Sequence, residues 1–249
     1  MSTATYIYAV VGAEVELPEG LAPVGGGDEV AIIDHGRLGA VVSDLARDRP
    51  LGGRDDLIAH ERVVNTLARA TTVLPMRFGG VVENDTAVVD ELLGHHHDYF
   101  VWALEQLDGC RQFVLHGRYD QDELVSSILA ADAEIRELSD SVRDADPDAT
   151  YYERIRLGEA ISVHVDRIRA ADAGFARERL EPFAVAVAPK DPAEEDSALE
   201  LALLVHRDRL ADFEQAVDAL GDEWDGRVRL RLIGPVAPYD FLPEPTGES

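Results

Sequence analysis

Cysteine occurs once in the 249-residue chain, at Cys110, so no internal disulfide can form. Lysine also occurs once, at Lys190. Basic residues are scarce overall, 23 against 49 acidic ones, and the formal net charge is −26. Nucleic acid is therefore not an expected partner, because phosphate contacts need a basic face. No apolar run approaches the ~20 residues that span a bilayer, so no membrane partner is expected either. The N-terminus, MSTATYIYAVVG, has no basic region ahead of its apolar residues and predicts no secretory signal. Neither a GxxxxGK[ST] phosphate loop nor a GxSxG nucleophile elbow is present. What the chain does have is 46% hydrophobic residues, enough to bury a core, so its charge does not imply disorder. These readings together predict a soluble, cytoplasmic protein.

The kind of charge carries a reading of its own. The cations are 22 arginines and a single lysine, and aspartate outnumbers glutamate 27 to 22. In multimolar salt the Debye length falls to ~3 Å, which screens self-repulsion, while short carboxylates keep the surface hydrated. Salt adaptation therefore accounts for the composition better than a GC-rich genome, which explains the missing lysines but not the charge.

Apolar periodicity divides the chain in two. Residues 5–11, 30–33 and 38–43 predict strands, the last two joined as a hairpin. Arg54–Ala70 predicts a helix burying Leu57, His60, Val64, Leu67 and Ala68. Residues 73–82 predict a strand interrupted by Pro75. Asp85–Leu107 predicts a helix with His96 among its core-facing residues. The first region, 1–108, thus reads βββαβα. In the second, 109–249, strands are predicted at 111–117, 199–205 and 227–233. Helices are predicted at 123–143, 151–188 (with breaks at Gly174 and Pro182) and 207–220. The fold class is α+β: two domains, each an antiparallel or mixed sheet backed by helices, ferredoxin-like in character, with a long helical segment in the second. A frayed tail is expected after Phe241.

Chemistry-bearing patterns are sparse. His60-Glu61 begins an HExxH zinc motif, but Val64 occupies the second ligand position, so His60 reads as a hydrogen-bonded core histidine. His95-His96-His97 cannot all chelate one ion from one helix, since consecutive residues point about 100° apart. Metal-dependent catalysis built on that triplet is the less favoured alternative, and neither cofactor nor metal is expected. Arg227, Arg229 and Arg231 form a rare basic ridge, which neighbouring carboxylates in the sheet are expected to pair.

Two conformationally restricted apolar segments remain. One is Thr72-Val73-Leu74-Pro75-Met76-Arg77-Phe78-Gly79, whose proline belongs at a sheet edge or bulge. The other is Gly234-Pro235-Val236-Ala237-Pro238-Tyr239-Asp240-Phe241, held extended by its prolines. With Tyr6-Ile7-Tyr8-Ala9-Val10, Ala40-Val41-Val42-Ser43-Asp44 and His60-Glu61-Arg62-Val63-Val64, these segments make the chain resemble the gas vesicle protein F/L family (GvpF/GvpL) from residue 5 to 242. Val236-Ala237 stands where that family usually carries Trp-Pro, a departure that weakens the C-terminal segment as an anchor. The resemblance, with the acidic composition, implies a haloarchaeal member of a non-enzymatic, two-domain accessory family. It implies gas-vesicle association and partners in the small hydrophobic shell protein and other accessory proteins. Pro75, Met76, Arg77, Phe78, Pro235, Tyr239 and Phe241 are the contact candidates. A minor structural component of the finished vesicle is the alternative role.

Overall fold

Strand β1 (Thr3–Gly12) is buried on nearly every residue, so its TYIYAVV run packs against apolar groups on both faces rather than alternating. It lies between β3 (Leu38–Ala46) and the short β4 (Leu74–Pro75) in a sheet ordered β2-β3-β1-β4, where β2 is Val30–His35 and β5 (Val81–Val82) also pairs with β1. The β1 pairings are antiparallel, and a bulge between Ile7 and Ala9 leaves Tyr8 without a partner residue on β3. The structure is a computed structural model and describes residues 3–27, 29–146, 148–192 and 194–244. Of the expected frayed tail, residues 245–249 lie outside the described ones.

Helix α1 (Arg54–Ala70) starts where the Asp56 carboxylate accepts from the Gly52 and Gly53 N–H groups, at 3.4 and 3.3 Å. Arg49 donates to that carboxylate at 2.6 Å and is the main cause holding its pKa below the usual value. The helix buries Asp56, His60, Val63, Val64, Leu67 and Ala68. Leu57, expected inside, is 44% exposed, because the buried stripe is centred on Val63 and His60.

The predicted strand at 73–82 forms as β4 and β5, separated by a turn through Gly79. The following helix is not uniform. It begins as α2 (Asp85–Ala87), winds as a π-helix over Val88–Gly94 and resumes as α3 (His97–Gln106). The extra residue per π turn shifts the helical phase, so His96, expected in the core, is exposed.

A second sheet is ordered β7-β8-β6-β9, from β6 (Cys110–Tyr119), β7 (Ala186–Pro189), β8 (Ser197–His206) and β9 (Val228–Val236). Between these strands lie α4 (Gln121–Ala131), α5 (Ala133–Arg143), α6 (Tyr151–Leu180) and α7 (Leu210–Glu223). The class is thus α+β, with two antiparallel sheets backed by helices and one long helix. Three boundaries differ from the periodicity. Asp132 takes an extended conformation and caps the N–H groups of Glu134 and Ile135, which splits the expected 123–143 helix. Helix α6 runs 30 residues straight through Gly174 and stops at Leu180, before Pro182. Residues 186–188, expected at the end of the helical stretch, belong to strand β7.

Two compact units result: residues 1–113, 204–207 and 234–249, and residues 114–203 with 208–233. The segments 204–207 and 234–244 thus belong with the first unit, although they follow residue 109 in the chain. In the second unit, buried Asp172 of α6 accepts from Tyr119 Oη at 2.8 Å and from both terminal nitrogens of Arg227 at 2.6 and 2.9 Å. Burial and the carboxylate push the Tyr119 hydroxyl well above its ordinary pKa, and it stays a donor.

Candidate interaction site

The Leu-Pro-Met-Arg-Phe-Gly segment runs along the outer side of β1. Pro75 pairs with Ala9 at the sheet edge, where a missing N–H costs nothing. Met76 N–H donates to Tyr8 O at 2.9 Å, Gly79 N–H to Tyr6 Oη at 3.1 Å, and Ile7 N–H to Gly80 O at 2.9 Å. Gly79 has φ +92°, a conformation that a side chain disfavours, so the motif's glycine makes the turn into β5.

The C-terminal segment comes to the same place. The Gly234-Pro235 bond is cis, and β9 continues through Val236. Ala237 is buried and donates its N–H to Asn65 Oδ1 at 2.9 Å. Gln112 holds Asp240 twice: its amide NH2 donates to the carboxylate, and its Oε1 accepts the Asp240 N–H at 3.2 Å. Instead of remaining extended, residues Tyr239–Phe241 close into a 3-10 turn.

His60 joins the two segments. It is 1% exposed and stacks on Tyr8, with Tyr6 and Phe78 edge-on, each ring centroid 5.7 Å away. Its Nδ1 lies 2.9 Å from Tyr6 Oη, and its Nε2 lies 3.1 Å from Met76 O and 3.0 Å from Tyr239 Oη. Tyr239 Oη in turn donates to Met76 O at 3.0 Å. One proton arrangement satisfies every contact. Tyr6 Oη, already accepting from Gly79, donates to Nδ1, while Nε2–H points at Met76 O and Tyr239 Oη. This is the neutral imidazole, and burial lowers the His60 pKa accordingly. Burial also raises Tyr6 to about 12 and Tyr239 higher still. At neutral pH the cluster holds no charge and is a structural lock.

The lock has a pH signature. Below the ordinary imidazole value of 6.5, the unfolded chain takes up a proton that folded His60 refuses. Its contribution is complete above about pH 7 and falls as pH drops through 6.5, by at most about 1.4 kcal/mol per pH unit. Wild type is expected to lose more stability than His60→Gln between pH 7.5 and 5.5, measured by urea unfolding. Parallel losses would remove this role for His60.

Of the seven contact candidates, Pro75 is buried; Met76, Phe78, Pro235 and Phe241 are half-buried; Arg77 and Tyr239 are exposed. Phe78 packs against the core, which makes it a support for the surface more than part of it. The sequence patterns named the two segments and read His60 as a hydrogen-bonded core histidine, as it is, but not its role in joining them, nor the anchors Asn65 and Gln112. The available signal was the pair Tyr6 and Tyr8, two hydroxyls in a strand buried on both faces that need partners inside. The exposed apolar residues Leu57 and Ile58 lie on α1 in the turn before His60.

Elsewhere, His95 and His96 are exposed, and His97 Nδ1 lies 3.1 Å from Asp98. Among the described residues, no three His, Cys, Asp or Glu side chains are grouped to hold a metal ion. Cys110 is half-buried and its thiol pKa is raised, mainly by burial, so the neutral thiol is favoured. No helix among the described residues is long and apolar enough to cross a membrane.

A family model described as gas vesicle synthesis protein GvpL/GvpF matches residues 4–243. The chain belongs to the GvpL/GvpF family. Gas vesicle protein F of a Streptomyces species is 32% identical over 241 residues, covering 96% of this chain and 99% of that relative. The crystal structure of GvpF from Anabaena sp. superposes with a TM-score of 0.80 over 98% of this chain and all of that one, at 24% identity, and so has the same fold. Gas vesicle protein L1 of Halobacterium salinarum is 25% identical over 98% of this chain and 92% of its own length. The haloarchaeal source inferred from charge is therefore not supported, since the Streptomyces relative is more similar than the halobacterial one. A charge of −26 keeps a protein dispersed in any cytoplasm and does not by itself identify a halophile. Family membership supports a role in gas vesicles.

Proposed function

We propose that this protein is a non-enzymatic accessory factor in gas vesicle assembly, which binds the small hydrophobic shell protein and other accessory proteins during vesicle nucleation. The observation that carries the reading is the lock at Tyr239. This tyrosine is 39% exposed, yet it is hydrogen-bonded to both Met76 and His60. Segments some 160 residues apart in sequence therefore meet at Tyr239, and Met76, Arg77, Pro235, Tyr239 and Phe241 around this junction are the contact residues of this reading. Aromatic groups with a polar tip suit recognition surfaces.

The physical logic is one of dispersal. A shell subunit with exposed apolar surface aggregates, and a highly charged partner that covers that surface keeps the complex in solution. The test is a pull-down from gas-vesicle-forming cells with this protein as bait, read by mass spectrometry. Recovery of the shell protein or vesicle accessory proteins is expected. Their absence, with the bait folded, overturns the reading. Washed vesicles discriminate the other role: an assembly factor is lost on washing, whereas a minor structural component persists.

A further inference from the structure

The second unit carries a separate surface that this reading does not use. Strand β9 is the last strand of its sheet; Val228 N–H is taken by Trp224 O at 3.0 Å, and along residues 229–233 the backbone groups facing away from β6 have no strand partner among the described residues. Helix α7 runs beside it, and the two enclose an open groove of about 750 Å³. Its floor is Val217, Gly221, Leu230 and Leu232, and the α7 side bears Asp218 and Asp222. Both leucines are only half-buried. Arg229 and Arg231 alternate with these leucines along the strand, Arg229 also bordering the groove. Arg229 is 86% exposed along its side chain and reaches Asp120 only at 3.4 Å. Arg231 is exposed and makes no ion pair among the described residues. Arg227, by contrast, is consumed by Asp172.

We propose that the edge of β9 is a strand-addition site, which takes an extended segment of a partner protein in which acidic and apolar side chains alternate. Backbone hydrogen bonds would supply affinity, and alternation would supply specificity. Along an added strand, every second side chain points to one face of the sheet. One set meets the apolar floor beneath α7, where the aspartates turn away acidic groups. The other set lies beside Arg229 and Arg231; Glu194 and Asp196 line the same surface but are paired with Arg118, so the two arginines favour acidic groups there. A second copy of this chain is disfavoured in the register centred on Leu230. Antiparallel pairing about Leu230 sets Arg229 of each strand opposite Arg231 of the other, and like charges directly opposite are destabilising. The protein's overall negative charge does not prevent the contact, because at ~0.15 M salt distant charges are screened beyond ~8 Å.

Labelled octapeptides test this on the full-length protein by fluorescence anisotropy. Alternating Glu-Val should bind saturably, and alternating Lys-Val at least tenfold more weakly. N-methylation at alternate residues, which removes backbone donors, should abolish binding. The Arg229→Glu/Arg231→Glu variant, exposed at both positions and expected to keep its circular dichroism, should reverse the charge preference. On peptide binding, β9 amides should gain protection from hydrogen exchange. Three results would each overturn the proposal. One is equal binding of a blocked Glu₄Val₄ peptide, which marks plain ion pairing. Another is no saturable binding by any peptide. The last is a dimer in sedimentation whose protected amides are those of β9, which assigns the edge to a second copy.

Discussion

Asp172→Ala is expected to destabilise the second unit by about 3 kcal/mol, the low end of the loss for breaking a buried ion pair, since Asp172 is buried and Arg227 half-buried. Three donors converge on this carboxylate: Tyr119 Oη and the two terminal nitrogens of Arg227. Alanine leaves the Tyr119 hydroxyl without its acceptor in the protein interior, and it leaves the Arg227 guanidinium, which also lies 5.3 Å from the Trp224 ring centroid, without its counter-charge. For a unit of this size the loss corresponds to a fall of roughly 10 °C in thermal midpoint. Trp224 is 4% exposed within the same unit, so its fluorescence reports the transition. Asp172→Asn retains an acceptor and is expected to lose less. A midpoint unchanged in both variants would mean that α6 does not depend on this site.

Gly234→Ala is the second large effect, and it acts on the interaction face from a distance. Gly234 has φ +154°, and a Cβ placed there would lie 2.5 Å from Phe113 Cδ1 and 3.0 Å from Gln112 O. Neither neighbour can yield cheaply, since one is a buried ring and the other is backbone. Overpacking and backbone strain each cost about 1–3 kcal/mol, so the C-terminal segment is expected to leave its seat rather than absorb both. Hydrogen exchange at the Ala237 and Asp240 amides should rise, because their partners Asn65 and Gln112 are then out of reach. The rest of the first unit should keep its protection. Unchanged exchange at these two amides would show that the segment is not held by this packing.

The parts legible in sequence are those where one local rule governs. Pro75 announced a sheet edge because it lacks a donor, and β4 is one. The apolar spacing of residues 54–70 located α1 to the residue. Where a second influence intervened, spacing misled. His96 turned outward because a π-helical stretch shifted the phase that regular spacing assumes. Asp132 divided a helix because its carboxylate capped the next one, although the apolar stripe reads smoothly across it. Strand β7 is four residues long and follows a helix stop, too little for period-2 alternation to register. The candidate site was half legible. Its segments stand out through proline and glycine, but their meeting depends on His60 and Gln112, which bond to residues 179 and 128 positions away. No local pattern encodes such partners.

The most direct test of the central claim is co-expression of this protein with a gas vesicle shell protein, comparing wild type with Met76→Asp/Arg77→Glu. Arg77 is exposed, and half-buried Met76 makes its hydrogen bonds through its backbone, so the double variant is expected to fold, as circular dichroism would verify. The account predicts that wild type keeps the shell protein soluble and co-purifies with it, while the variant recovers at least tenfold less. Equal recovery by a folded variant, or none by wild type, would contradict it.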